Sequence, residues 1–184
     1  KLEPSSNVLH DYATYTYRLT LGAQDIQDHQ IISHKGFSRG TPKITSMLMQ
    51  SGGGHAVDGT DREPAFWEDF YIEDLKMTTV IGANEQSSGS NAVNLSFTIM
   101  EPYGVSLIER LLVLAELLGY KNYIEIPFIF KVEFVGYGDD GIPIGLIPDT
   151  TKYIPFKLTY MKFNIDGKGS VYQCDGIPVN HFTY

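Results

Sequence analysis

The amino-acid sequence predicts a mainly β (α+β) domain, an antiparallel β-sandwich or barrel with one flanking α-helix. Three observations carry that expectation. Segments spread along the chain alternate apolar and polar residues with a period of two, as half-buried strands do. One segment, residues 106–118, has helical spacing between a capping signal and a glycine stop. The 12 Tyr and 10 Phe in 184 residues tilt the composition towards strands.

The first strand is expected over residues 11–22, where Ala13, Tyr15, Tyr17, Leu19 and Leu21 alternate with Tyr12, Thr14, Thr16, Arg18 and Thr20. Residues 24–30 are charged or amide-rich and fit a short helical turn or an exposed loop. A second short strand spans residues 44–50, and Gly52-Gly53-Gly54 ends it because three glycines cost too much backbone entropy to stay in a ladder. Residues 51–64 then read as a long, polar, mobile loop. After Phe66, Phe70 and Ile72 share one face before the phase slips to Leu75, Met77 and Thr79, which predicts a β-bulge near Glu73 and Asp74.

Residues 84–91 are almost purely Ser, Gly, Asn, Glu and Gln and form a solvated connection. The clearest strand follows, with Val93, Leu95, Phe97 and Ile99 alternating with Asn94, Ser96 and Thr98. Pro102 and Gly104 stop it. Ser106 is placed as the helix N-cap, Glu109 completes a capping box, and Gly119 is the C-terminal stop. Leu107, Ile108, Leu111, Leu112, Leu114, Ala115 and Leu118 form the apolar stripe of this helix, leaving Glu109, Arg110 and Glu116 to face water or a neighbour.

Ile126, Phe128, Phe130, Val132 and Phe134 make the next strand, with Lys131 and Glu133 on its opposite side, and residues 136–149 read as a loop. Residues 152–166 form a long strand whose apolar phase slips from Phe156, Leu158 and Tyr160 to Met161, Phe163 and Ile165, so a second bulge is expected. Asp166-Gly167-Lys168-Gly169 turns the chain into a hairpin partner over residues 170–179. Residues 180–184 carry no stop signal.

The length suits one domain over residues 1–184. A chain that opens on Lys1 without a signal-type apolar stretch reads as a domain excised from something longer. The formal charge of −8, from 14 basic and 22 acidic residues, disfavours specific nucleic-acid binding. The single cysteine leaves the fold independent of an oxidising compartment. The longest apolar run, broken by Glu116, is too short for a bilayer, so no membrane partner is expected.

No constellation reads as an active site. His10, His29, His34, His55 and His181 lack metal-ligand spacing, and Asp58, Asp61 and Glu63 do not match a calcium loop. Asp139-Asp140-Gly141 has the chemistry of a turn. Glu68, Asp69, Glu73 and Asp74 could supply a carboxylate pair for glycan hydrolysis, but charges beside a bulged edge also block unwanted strand pairing. Cys174 lies mid-strand as a packed thiol, and the triple glycine lacks the Lys-Ser/Thr of a phosphate loop. Tyr12, Tyr15 and Tyr17 are read as core or interface aromatics. The expectation is therefore no catalytic residue, no cofactor and no metal ligand.

Residues 7–17, Asn-Val-Leu-His-Asp-Tyr-Ala-Thr-Tyr-Thr-Tyr, and residues 96–104, Ser-Phe-Thr-Ile-Met-Glu-Pro-Tyr-Gly, resemble segments of virion structural proteins of tailed (contractile) bacteriophages, of the baseplate hub or tail-tube class. Residues 172–181, Tyr-Gln-Cys-Asp-Gly-Ile-Pro-Val-Asn-His, resemble the end of that domain. The likeness spans most of the chain and carries no catalytic residue. It implies a tail-tube-like β-sandwich or barrel that forms rings by pairing sheets between subunits. It also implies a virion location after synthesis in the host cytoplasm, and as partners further copies and other phage tail or baseplate proteins. Some hub proteins also carry a cell-wall-degrading domain elsewhere in the chain. The outer helix residues Glu109, Arg110 and Glu116 are the candidate assembly surface. The rival expectations are a cell-wall-glycan hydrolase working through the bulged carboxylates and a carbohydrate-binding module with Trp67 and Tyr71 as stacking platform.

Overall fold

The alternating segments become eight antiparallel strands in one sheet, with a single α-helix among the described residues. The structure, a computed structural model, describes residues 7–23, 44–52, 70–80, 92–102 and 104–178. The elements run β1 (Thr14–Ala23), β2 (Ser46–Gly52), β3 (Tyr71–Val80), β4 (Ala92–Pro102), α1 (Leu107–Leu117), β5 (Pro127–Tyr137), β6 (Pro143–Leu146), β7 (Lys152–Asp166) and β8 (Gly169–Pro178). Strand order is β2-β1-β5-β7-β8-β4-β3, with β6 paired to β5 beside this path. The mainly β class and the flanking helix are thus as the sequence reads.

The sheet curls until its two outermost strands approach each other. The backbone N–H of Ile72 in β3 donates to Ser51 Oγ in β2 at 3.0 Å, a side-chain bond in place of a strand ladder. Helix α1 lies against β2 and sets the Arg110 guanidinium 5.1 Å from the ring centre of Phe70, the residue before β3. It therefore bridges the seam where a ladder is missing. Leu107, Leu111, Leu114 and Ala115 of α1 and the following Leu118 are buried in one cluster with residues of every long strand. At its centre Phe97 of β4 meets Phe130 of β5 edge-on at 4.8 Å, and Phe130 stacks on Phe156 of β7 at 5.0 Å.

Both predicted bulges are present. Register shifts between Glu73 and Lys76 in the β3–β4 pair, with Asp74 at φ 53, and between Leu158 and Tyr160 in the β7–β8 pair. The second bulge lets β7 serve two neighbours: residues 152–157 pair with β5, while residues from 156 onward pair with β8. Gly176 lies opposite Leu158, where a Cβ would come within 2.8 Å of the Phe156 ring and 2.9 Å of the Lys157 carbonyl, so only glycine lets the strands close there. The hairpin turn falls as expected, with Asp166 paired to Gly169 and Lys168 N–H donating to Asp166 Oδ1 at 2.7 Å.

Three expectations change. The first strand starts at Thr14 because Val8–Asp11 forms a 3-10 turn, capped by the Asn7 side chain, which accepts from Leu9 N–H. Residues 136–149 are not all loop: Asp139-Asp140-Gly141 turns the chain, with Ile142 N–H donating to Asp140 Oδ1, and β6 then pairs back on β5. The opposite side of β5, which carries Lys131 and Glu133 as the sequence reads, is itself largely buried. Glu133 is buried there, directly opposite Arg18, which donates to Glu133 Oε2 through Nε at 3.2 Å and Nη2 at 3.0 Å, while Lys131 pairs with Oε1. Leu112 of the predicted apolar stripe is exposed, because the buried arc of α1 is narrower than the sequence stripe. The expectations for residues 24–30, 53–69, 84–91 and 180–184 lie outside the described residues.

Candidate assembly surface

Helix α1 is held at its N-terminus by a residue from the preceding strand. Ser106 sits in helical conformation and makes no side-chain cap. Glu101, near the end of β4, takes that role: Ser106 N–H and O–H donate to Oε1 at 2.7 and 2.6 Å, while Leu107 N–H and Tyr172 O–H donate to Oε2 at 3.1 and 3.0 Å. Burial opposes the Glu101 charge, yet the bonds from Ser106, Leu107 and Tyr172 outweigh it and hold the carboxyl below its ordinary range. Burial first, and then the neighbouring Glu101, push the Tyr172 phenol upward. Ser170 ties the same corner by donating to the Gly104 carbonyl at 2.6 Å. The other end of α1 closes as predicted: Gly119 has φ +78, its N–H reaches the Glu116 carbonyl, and Tyr120 N–H reaches that of Ala115, the Schellman pattern.

With the helix fixed this way, Glu109 and Glu116 are exposed. Arg110 is half-buried and engaged within the chain, donating to Ser106 Oγ at 3.2 Å and stacking on Phe70. The three predicted residues therefore do not act alike. Between the two glutamates the outer face is apolar, with Leu112, Val113 and Leu117 exposed, and Val113 and Leu117 border a groove of about 590 Å³ against Met47 and Leu48 of β2.

A second surface lies on β7, the long strand whose unpaired backbone donors the sequence already marks as needing cover. Beyond Lys157, β7 pairs with β8 alone among the described strands; the 3-10 turn Tyr123–Glu125 lies against it. Every residue from Lys162 to Lys168 is exposed. Phe163 and Ile165 lie on the core-facing side of this ribbon, Phe163 stacking on buried Tyr172 at 5.9 Å, yet they remain 45% and 59% exposed because the core ends before the hairpin does. Tyr160, exposed as well, stands on the other face. The available signal was the pair of apolar residues running into a polar two-residue turn, a row continued past any covering element.

Of the remaining candidates, Glu73 and Asp74 are exposed at the β3 bulge and Tyr71 is exposed beside them, whereas Trp67, Glu68 and Asp69 lie outside the described residues. His10 stands in the first 3-10 turn; the other four histidines, Asp58, Asp61 and Glu63 also lie outside. Among the described residues no group of His, Cys, Asp and Glu could hold a metal ion, and no helix is long and apolar enough to cross a membrane. Cys174 is buried, and that burial pushes its thiol up to about 12. Comparison with protein-family models, curated proteins and solved structures finds no match.

Proposed function

We propose that this chain is a structural component of a bacteriophage tail or baseplate hub, assembling into a ring or tube through subunit contacts. The observation that supports this reading best is the outer half of β7. Along one edge no described strand takes its backbone donors and acceptors, Phe163 and Ile165 are exposed beside them, and isolated proteins blunt such edges unless another chain covers them. The apolar outer face of α1, flanked by Glu109 and Glu116, offers a second contact area on the same molecule. Two different patches on one subunit favour head-to-tail association, which closes into rings or continues as tubes. Strand and helix alike act here as recognition surfaces, and no covalent chemistry is required.

Size-exclusion chromatography with light scattering over a concentration series tests the reading. Mass should rise with concentration, and Phe163→Asp with Ile165→Asp should return it to the monomer without lowering the melting temperature. A chain that stays monomeric at every concentration and captures no other protein of its own virion would count decisively against assembly.

A further inference from the structure

We propose that the open cleft between β1, the end of β2 and the start of β3 binds an uncharged oligosaccharide. Among the described residues β2 ends at Gly52, opposite Arg18, and residues 14–17 of β1 run on past it. Tyr15 and Tyr17 there prolong the core-facing row of Leu19 and Leu21; no described residue of β2 pairs opposite them, and they are 46% and 54% exposed. Tyr71 of β3, 46% exposed, lines the same cleft, which holds about 490 Å³, within the range of small-ligand sites.

The chemistry of the lining favours a sugar. A tyrosine ring offers an apolar face and a polar tip, matching a pyranose with its C–H face and hydroxyl rim. Tyr15 is braced edge-on by Phe134 at 5.9 Å, so its ring is already held before a ligand arrives. Tyr15 and Tyr17 stand two residues apart on one strand, about 7 Å, which sets two rings side by side for successive sugar units. Glu73 lines the cleft with an exposed carboxylate, an acceptor for sugar hydroxyls. The carboxylate and the chain's charge of −8 select against acidic glycans. A proline-rich peptide also docks on aromatic grooves, but it lacks the rim of hydroxyl donors that an exposed carboxylate would bind.

Titration calorimetry of the 184-residue chain with tetra-N-acetylchitotetraose and cellotetraose, and with tetragalacturonate and decaproline for comparison, decides the matter. At least one uncharged tetrasaccharide should bind with Kd of about 1 mM or tighter. Tyr17→Ala and Tyr71→Ala should each weaken it about tenfold, while Tyr17→Phe and Tyr71→Phe keep it within about threefold, all four with unchanged melting temperature. No binding of either uncharged sugar, binding indifferent to both alanine variants, or tighter binding of tetragalacturonate or decaproline would each overturn the proposal.

Discussion

Two rows of apolar side chains, Ile126-Phe128-Phe130 leading into and along β5 and Met161-Phe163-Ile165 along β7, have the same period and nearly the same chemistry. The first is essentially sealed, with no residue above 1% exposure; in the second Phe163 and Ile165 are about half exposed. What differs is the element opposite. The β5 row faces α1, Phe97 and Phe156 in the common cluster, whereas the β7 row overruns that cluster after its bulge. Periodicity thus reports which face of a strand is apolar, and only topology decides whether the protein itself or another molecule covers it.

The largest effect should come from breaking the sealed row. Phe156→Ala removes the ring that Phe97, Phe128 and Phe130 all contact and should cost about 3–5 kcal/mol in urea denaturation, a large fraction of an ordinary domain's stability. A loss below about 1 kcal/mol would mean that the aromatic centre does not hold the two halves of the sheet together.

Glu101→Gln comes next, with an expected loss of about 1.5–3 kcal/mol at neutral pH, because charged acceptor bonds to two backbone N–H groups and Tyr172 are weakened. The sign with pH follows from the depressed carboxyl. Its contribution is complete above the unfolded value of about 4.3 and disappears as pH falls through the lower folded value. Denaturation of both proteins between neutral and strongly acidic pH should show the gap closing in that window; a gap independent of pH would remove the charge from the account.

Ile165→Thr should have the smallest effect on the monomer, within about 0.5 kcal/mol, since the side chain is more than half exposed. Circular dichroism melts at low concentration measure it, and a loss comparable to that of Phe156→Ala would show that the projecting ribbon belongs to the folded core after all.

Much of the architecture was legible in local pattern. β4 follows from the alternation of Val93 to Ile99, the β7–β8 hairpin from Asp166-Gly167-Lys168-Gly169, and both bulges from phase slips, because each depends on neighbours in sequence. The helix cap was not legible. Ser106 and Glu109 satisfy the local capping pattern, but a carboxylate arriving from β4 takes the Ser106 N–H that Glu109 would bond and adds that of Leu107, and that depends on how strand and helix cross. β6 was obscured by Pro143 and Gly145 between its apolar residues. The cleft tyrosines were visible as residues, yet Tyr15 and Tyr71, far apart in sequence, line one cleft only because the sheet curls β3 back towards β2.

The Glu101 knot also bears on timing. One side chain joins the end of β4, the first turn of α1 and Tyr172 in the middle of β8, so none of the three can loosen without freeing the others. In hydrogen exchange, the amides of α1 and those around Tyr172 should then open as one cooperative unit with a shared rate, although three strands, β5 to β7, separate them in the chain.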